Sequence, residues 1–284
     1  MPLTLFIIAL IRTCFFLDYQ FSMAVRVSGD QHFSDPMGNV YITLGNTLNK
    51  YSAEQEKIGH YTNAYLGNIF SVDVSDPLRI LIYYKDYNQV VWVDNFLSEI
   101  RSPVWLDDLG LNLAELVCSS SQGGFWVFNS LNNQLQYYSA DLQLRHESPS
   151  LNILTGPDIH PMFMIEKNLS LYLNVPGMGI LVFDRFGNYS KTLQVETPSV
   201  FQVTDRHVYY MGDGELRSYD LRMAETTSLD LPADYPERIT GLLRAKESGN
   251  PEPLSGEPVI HAELQPGRLF IYSREGYLVY KSDR

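Results

Sequence analysis

Six histidines could supply acid–base or metal chemistry to this chain of 284 residues. No two of them have the spacing of ligands on one helical turn, such as His-x-x-x-His, so the local sequence predicts no zinc site. His160 stands just before one predicted β-strand and His261 begins another, so strands gathered around a channel could bring these two rings together. Polar side chains solvated by water are the favoured interpretation of both. The six positions are 32, 60, 146, 160, 207 and 261.

The other motifs of catalysis are weak or missing. Asp107 and Asp108 are adjacent carboxylates, but the apolar residues and Gly110 around them indicate a loop or a short helical turn. The sequence has no Gly-x-Ser-x-Gly motif and no Gly-rich phosphate loop followed by Lys and Ser or Thr. Cys118 lies in an apolar, strand-like run, where a small buried side chain is expected rather than a reactive thiol. We therefore predict no catalytic residue, no metal ligand and no cofactor.

One pattern recurs six times: an apolar run, a turn rich in Gly, Asn or Asp, and a second apolar run that ends in an aromatic residue. In one copy, residues 125–128 and 135–138 flank the turn Asn132-Asn133. Such turn residues between two β-rich segments are typical of a β-hairpin. The closing aromatics are Tyr51, Trp92, Tyr138, Phe183, Tyr219 and Tyr280.

The spacing of these aromatics predicts the architecture. Most are separated by the roughly 40–50 residues of one four-stranded propeller blade. An inner strand before each hairpin and an outer strand after it would complete the blade. The last separation is longer because residues 232–258 carry five prolines, which indicates an inserted loop. We therefore predict an all-β fold, a six-bladed β-propeller of four-stranded antiparallel blades.

The two ends of the repeat suggest how the ring closes. The last hairpin ends close to residue 284, which leaves no room for its outer strand, whereas residues 23–27 form an extra strand-like run before the first blade. We expect this N-terminal strand to close the ring and remove exposed sheet edges. The competing interpretation is that residues 23–27 continue a signal peptide.

Residues 3–17 are mostly apolar. The run is shorter than the roughly 20 residues of a membrane-spanning helix and fits the apolar region of a secretory signal. We predict a signal peptide over residues 1–22, a propeller domain over residues 23–284, and export to the periplasm or the cell surface. The alternatives are a mis-assigned start and a buried N-terminal segment. A lipid anchor on Cys14 is disfavoured, because no small residue precedes it.

The tract at residues 180–189, Ile-Leu-Val-Phe-Asp-Arg-Phe-Gly-Asn-Tyr, resembles a blade of the NHL-type six-bladed propellers. In those blades the hairpin also ends in an aromatic residue and Asp, followed by a polar turn with Gly and the outer strand. Residues 51–54 and 138–141, Tyr-Ser-Ala-Glu and Tyr-Ser-Ala-Asp, are similar in kind. The resemblance covers nearly the whole propeller domain as architecture and implies no activity. The motifs of WD repeats and of sialidase-type propellers are absent.

A second family of six-bladed propellers suggests an alternative function. Lactonase-like propellers bind a divalent metal in the central channel with Glu, Asn and Asp side chains. Asp73, Asn112 and Asp205 are the candidates in this chain, which lacks a clear Glu on its first inner strand. The alternative is therefore a metal-dependent hydrolase or lactonase with its site in the channel.

Charge excludes several classes of partner. Asp and Glu outnumber Lys and Arg by 33 to 21, and the net charge is −12. This balance leaves no basic footprint for nucleic acid and no polybasic patch for a membrane surface. It also disfavours an anionic partner.

We predict a non-catalytic interaction or recognition module of the cell envelope. In propellers, the turns inside the hairpins and the loops that enter the inner strands share one face. Aromatic and neutral polar residues at these positions suit a protein or glycan partner, because rings supply contact area and amides supply direction. Ordinary turn geometry is the alternative explanation for the Asn and Asp positions. The predicted binding residues are Tyr61, Tyr65, Asp86, Tyr87, Asn88, Trp105, Asn132, Asn133, His160 and Asp213.

Overall fold

The computed structural model describes residues 19–157, 159–195, 200–244 and 259–282. These residues form six separate four-stranded antiparallel sheets, which we number as blades 1 to 6. Blade 1 consists of β2 (Gln31–Ser34), β3 (Val40–Leu44), β4 (Thr47–Tyr51) and β5 (Lys57–Thr62). Blade 2 consists of β6 (Ser71–Asp73), β7 (Ile80–Tyr84), β8 (Gln89–Val93) and β9 (Val104–Trp105). Blade 3 consists of β10 (Ala114–Ser119), β11 (Phe125–Asn129), β12 (Gln134–Tyr138) and β13 (Leu144–Glu147).

Blades 4 and 5 follow the same order of inner strand, hairpin and outer strand. Their strands are β14 (Phe163–Lys167), β15 (Ser170–Val175), β16 (Gly179–Phe183) and β17 (Tyr189–Leu193), then β18 (Phe201–Val203), β19 (His207–Gly212), β20 (Glu215–Asp220) and β21 (Glu225–Leu229). Blade 6 consists of β22 (His261–Gln265), β23 (Arg268–Ser273), β24 (Gly276–Ser282) and, from the other end of the chain, β1 (Tyr19–Arg26).

The middle strands are buried because the blades stack face to face. All five residues of β7 and all five of β8 are buried, and every residue of the two strands except Gln89 is apolar or aromatic. Six apolar clusters fill the six interfaces between neighbouring blades, including the interface between blades 6 and 1. Sheets covered on both faces need such runs rather than alternating ones. The predicted all-β, six-bladed β-propeller is confirmed.

Ring closure by an N-terminal strand is also confirmed. β1 pairs antiparallel with β24, from Tyr19 opposite Ser282 to Arg26 opposite Gly276. The strand starts at Tyr19, upstream of the expected domain start at residue 23. It contains Ser22-Met23-Ala24, a small-x-small sequence that fits a signal-cleavage site. β1 thereby covers the outer edge of β24, which would otherwise be unpaired.

A helix in the connection between blades 5 and 6 holds this seam. α2 (Tyr235–Arg244) lies where the proline-rich insertion was expected, whereas residues 245–258 are outside the described residues. The Arg26 guanidinium donates to the Leu242 carbonyl at 2.5 Å and to the Gly241 carbonyl at 3.4 Å. The Arg238 guanidinium lies 3.4 Å from the centre of the Phe21 ring. Because a cation at a helix C-terminus also favours the helix dipole, α2 and β1 stabilise each other.

The turn that follows each hairpin explains the repeated aromatic-Asp motif. The Asp184 carboxylate accepts backbone N–H bonds from Phe186 and Asn188 at 2.8 and 2.9 Å. Gly187, between these two, has φ +85°, a region that favours glycine. Asp94 accepts the corresponding bonds in blade 2. The motif therefore has a structural purpose, which is to close the turn between the hairpin and the outer strand.

Two departures interrupt the regular pattern. The outer strand of blade 2, β9, has only two residues, and a 3₁₀ helix (Asp107–Leu109) follows it directly. The loop between blades 3 and 4 carries the four-residue helix α1 (Asn152–Thr155). Within the described part of the chain, no helix has the length and apolar character needed to cross a membrane.

Candidate functional site

The turns inside the hairpins and the loops that enter the inner strands lie together on one side of the ring, which we call the hairpin face. In blades 1 to 3, the backbone carbonyl of each hairpin turn accepts a hydrogen bond from the loop that follows the blade. This repeated bond ties the turns and the loops into one surface. The three bonds run from Ile69 to Gly45 (2.9 Å), from Leu106 to Asn88 (2.9 Å) and from Leu151 to Asn133 (2.8 Å).

Two asparagines predicted to bind a partner strengthen these ties instead. Asn88 and Asn133 have φ of 49° and 51°, the left-handed conformation that hairpin turns require. The Asn88 amide donates to the Asp107 carboxylate and to the Leu111 carbonyl, both at 2.6 Å. The Asn133 amide donates to the Asn152 side chain at 2.7 Å. Turn geometry, the alternative explanation given above, accounts for both residues.

Three predicted aromatic residues are exposed. Tyr65 and Tyr87 lie on the hairpin face, whereas Trp105 lies at the end of the outer strand β9, opposite Gln89 and beside that face, rather than in the expected loop. Tyr65 is 88% exposed, and Tyr87 and Trp105 are each 49% exposed. The Tyr87 ring packs against Gly67, where an added Cβ atom would lie 3.2 Å from ring atom Cε2. Tyr87 therefore fixes the loop that carries Tyr65 while it keeps one side of its ring toward solvent. Neither Tyr87 nor Trp105 is fully buried, so the burial pattern leaves the predicted surface standing.

The prediction for Tyr61 must be corrected. Its side chain is buried between blades 1 and 2, and its hydroxyl donates to the Glu99 carboxylate at 2.7 Å. Burial, together with this hydrogen bond to a carboxylate, raises the pKa of Tyr61 to about 12. Tyr61 lies on β5 just before the loop, where the side chain still points into the blade interface. It is not available to a partner.

The remaining predicted residues lie on the hairpin face but differ in what they contact. Asp86 and His160 are exposed. The Asn132 amide donates to Gln134 within its own turn. Asp213, on blade 5, has φ 50° and accepts a 2.6 Å bond from Arg217. Asp86 and His160 are therefore accessible to a partner, whereas the side chains of Asn132 and Asp213 form hydrogen bonds within their own hairpins.

Sequence reasoning missed an apolar part of this face. Seven further large apolar side chains are exposed in or beside the turns and loops of blades 1 to 4, where turn geometry requires no apolar residue. That mismatch between residue type and turn position was the signal that could have identified them. They are Leu44, Phe70, Leu113, Leu131, Ile153, Leu154 and Met162.

A groove of about 460 Å³ opens beside Trp105, at the boundary between blades 2 and 3. Its lining includes the apolar residues Val104, Leu109 and Leu142 and the charged residues Asp108 and Arg101. The Arg101 guanidinium is engaged by the Ala140 carbonyl at 3.0 Å. Trp105 thus offers a partner both an exposed ring and an adjacent depression.

The central channel does not bring the predicted histidines together. His160 is exposed on a loop, whereas His261 is buried and stacks on the Tyr272 ring with 4.5 Å between ring centres. The histidine near His261 is His32, and its ring centre lies 5.6 Å from the ring centre of Tyr272. Burial, and then the nearby His261, lowers the pKa of His32 to about 4. These rings pack the seam between blades 6 and 1.

Three carboxylates near the channel accept hydrogen bonds from neighbouring strands or turns. Asp73 accepts the Ser119 backbone N–H at 2.8 Å, and burial raises its pKa. Glu166 accepts the backbone N–H of Ser121 and the Trp126 indole N–H, both at 2.9 Å. Glu263 accepts the backbone N–H of residue 34 at 2.6 Å. All three therefore link one blade to the next.

Other candidates for chemistry also have structural surroundings. Asp205 accepts a 3.1 Å bond from the Asn168 amide, and Asn112 is exposed on the hairpin face. Cys118 is buried, and burial raises its thiol pKa well above the usual value, which disfavours the reactive thiolate. Across the ranges described above, no three His, Cys, Asp or Glu residues lie together in a way that could hold a metal ion.

Comparison with known proteins identifies the fold. No protein-family model and no curated protein matches the chain. Among solved structures, the chain is similar to the Pan2 WD40 domain of Neurospora crassa, with a TM-score of 0.60, 9% identity, and coverage of 94% of this chain and 96% of that chain. It is also similar to a streptogramin B lyase (0.55, 9%, 93% and 98%) and to BamB from Moraxella catarrhalis (0.50, 8%, 94% and 98%). At these identities the likeness shows the propeller fold alone.

Proposed function

We propose that this protein is a non-catalytic interaction module that binds a partner protein through the hairpin face of blades 1 to 4. The observation that carries the proposal is the exposure of aromatic and aliphatic side chains on turns and loops that are tied together by hydrogen bonds. Large apolar side chains exposed in one region often mark an interaction surface. Rigid loops lower the entropy lost on binding.

The aromatic anchors have the chemistry of a protein interface. Trp and Tyr are enriched among the residues that contribute most to protein–protein affinity. Trp105 stands beside a groove, and Tyr87 is held by Gly67, so both rings are presented in defined positions. A glycan partner, the other class expected from the sequence, has no supporting observation among the described residues.

The alternative, a hydrolase or lactonase in the central channel, is less well supported. Its candidate residues are separated: Asp73 accepts a backbone bond, Asn112 is on the hairpin face, and Asp205 accepts the Asn168 amide. The similar structures include both a lyase and a WD40 domain, so fold alone does not choose between an enzyme and a binding protein.

The proposed location is the cell envelope, reached through a signal peptide that ends upstream of Tyr19. Cleavage after Ala24 would remove most of β1, which pairs with β24 over its length. Cleavage before Tyr19 would leave the closing strand intact. N-terminal sequencing of the exported protein tests this directly. A mature protein that starts at Val25 would contradict the proposal.

Photo-crosslinking tests the proposed surface. A photoreactive phenylalanine analogue is placed at Tyr87 or at Trp105, and in a control at Tyr189, a tyrosine of the outer strand β17 with similar exposure, 43%. We expect the first two positions to give an adduct with the same protein in the source cells, identified by mass spectrometry. The control position should not give that adduct.

Substitutions provide the matching loss of function. Tyr87→Ala and Trp105→Ala should leave the thermal unfolding temperature nearly unchanged and weaken binding to the crosslinked partner, whereas Tyr189→Ala should affect neither. Equal crosslinking from all three positions, or unchanged binding by both Ala variants, would refute the hairpin face as the binding surface.

A further inference from the structure

We infer that the partner presents an extended, basic segment to the hairpin face, with apolar side chains between its Lys or Arg residues. The inference rests on the proposed function and specifies the chemistry of its partner. It follows from three properties of this face: its continuity across blades, its charge, and the position of its charges beside its apolar anchors.

The hairpin face is continuous from blade 1 to blade 4. The Ser130 backbone N–H donates to the Leu113 carbonyl at 3.0 Å, which joins the blade 3 turn to the loop that follows blade 2. Together with the bonds from Leu106 and Leu151 described above, this places the exposed loops side by side without a gap in the chain of contacts. A segment that crosses the face would therefore meet several anchors in succession.

The charge on this part of the face is almost entirely negative. Among the described residues of its turns and loops between positions 27 and 178 there is no arginine and a single lysine, Lys85. The Lys85 ammonium is already paired with the Glu115 carboxylate at 3.4 Å and lies 4.6 Å from the centre of the Phe70 ring. The aspartates are Asp30, Asp86, Asp107 and Asp108.

The opposite face has a different character. Its turns carry acidic residues interspersed with arginines, and some of these arginines pair with a neighbouring aspartate. Arg206, for example, pairs with Asp220 at 2.9 Å. The excess of negative charge is therefore shared by both faces. The hairpin face differs in that no arginine offsets its aspartates among the described turns and loops between positions 27 and 178.

Two of the aspartates stand directly beside the apolar anchors. Asp86 precedes Tyr87 in the same turn, and Asp108 lines the groove next to Trp105. Arg101 also lines this groove, and its guanidinium donates to the Ala140 carbonyl. Both aspartates are exposed, and among the described residues neither accepts a hydrogen bond or an ion pair, unlike Asp107, which accepts the Asn88 amide. An aromatic ring flanked by an unpaired carboxylate suits an apolar side chain followed by a cation.

Peptide binding tests the inference. Three sets of extended peptides share one pattern of apolar residues, with Lys and Arg, Gln, or Glu at the positions between them. Binding is measured by fluorescence anisotropy at low salt and at about 0.5 M salt, where charge interactions are screened. We expect the basic set to bind most tightly, and its advantage over the Gln set to shrink at high salt.

Paired substitutions locate the effect. The double variant Asp86→Asn, Asp108→Asn should bind the basic set about 3- to 10-fold more weakly at low salt and leave binding of the Gln set unchanged. Glu54→Gln, at an exposed carboxylate on a turn of the opposite face, is the matched control and should change neither.

The possible outcomes separate this inference from the proposed function. No preference for basic peptides, or a preference that the double variant retains in full, would overturn the inference. Crosslinking from Tyr87 and Trp105 to a partner would still support the proposed function in that case. Loss of peptide binding in Trp105→Ala together with loss of the charge preference in the double variant would support both.

Discussion

Replacing His32 by Phe should remove much of the acid sensitivity of this fold. His32 is 1% exposed, and its pKa is lowered to about 4, first by burial and second by His261. The Val27 carbonyl and the carboxylates of Glu263 and Asp30 act in the opposite direction without reversing the shift. The imidazole is therefore neutral in the folded protein at a pH where it would be charged in the unfolded chain.

The sign of the effect follows from proton binding. An unfolded histidine has a pKa of about 6.5, so the unfolded chain takes up the proton first as the pH falls below that value. Folding stability contributed by neutral His32 is therefore full above about pH 6.5 and is lost progressively down to about pH 4. With these two pKa values, the loss between pH 7 and pH 4.5 is about 2 kcal/mol.

Urea unfolding, followed by tryptophan fluorescence at pH 7 and at pH 4.5, measures the change. The wild type should lose about 2 kcal/mol more than His32→Phe over this interval, because all other titrating groups contribute to both proteins. His60→Phe, an exposed position on β5, is the matched control and should lose as much as the wild type. If His32→Phe shows the full wild-type loss, or if the His32 ring titrates near pH 6.5 in the folded protein, the reasoning is wrong.

Three further predictions concern packing and the seam. Gly124→Ala should lower the free energy of unfolding by about 1–3 kcal/mol, because an added Cβ would overlap the Tyr138 carbonyl oxygen. Gly241→Ala should raise it by about 0.5–1 kcal/mol, because Gly241 lies in α2 and an added Cβ there would meet open space. Urea unfolding of both variants measures the two changes. Arg26→Ala should cost on the order of 1 kcal/mol in the same assay, since it removes the bonds to the end of α2. Deleting residues 1–28 removes β1 and should lower the thermal unfolding temperature strongly, as β24 loses its outer partner; an unchanged temperature would exclude a stabilising role for the closure.

The hairpins were predictable because they are the most regular part of a blade. Strands such as β7 and β8 are covered on both faces, so their sequences are continuous apolar runs, and the turns between them carry Asn, Asp or Gly. The inner strand of blade 1, β2, was not identified because Gln31, His32 and Ser34 make it look polar. Its polar side chains are accommodated by contacts across the seam, which a local pattern cannot reveal.

The outer strands were harder to predict because solvent and loops shape them. In blade 2 the expected outer strand shrinks to Val104–Trp105, directly after Pro103, which has no backbone N–H to donate to a ladder. The local sequence signals this interruption only weakly. The neighbouring blades form longer outer strands, β5 and β13, at the corresponding position.

The position of the hairpin face could be predicted from the sequence, but not all of its solvent-accessible residues could be identified. Topology alone puts turns and entering loops on one side, and Tyr87 lies in the hairpin turn where it was expected. Trp105, expected in an entering loop, lies instead at the end of the outer strand β9, opposite Gln89. Tyr61 lies only one residue before the end of β5, and whether such a residue points outward depends on strand register. Asparagine is common in binding sites, but the Asn88 side-chain amide is already occupied by its hydrogen bonds to the Asp107 carboxylate and the Leu111 carbonyl.

The seam in blade 6 gives the ring a directional mechanical weakness. Tyr19 lies opposite Ser282, so the outer ends of β1 and β24 meet at the same end of their antiparallel ladder. A force that pulls residues 19 and 282 apart would load the backbone hydrogen bonds one pair at a time, as a zipper opens, rather than shearing the whole ladder at once. A force applied through residue 19 alone, with the far end of the chain free, would not open the ladder in this way.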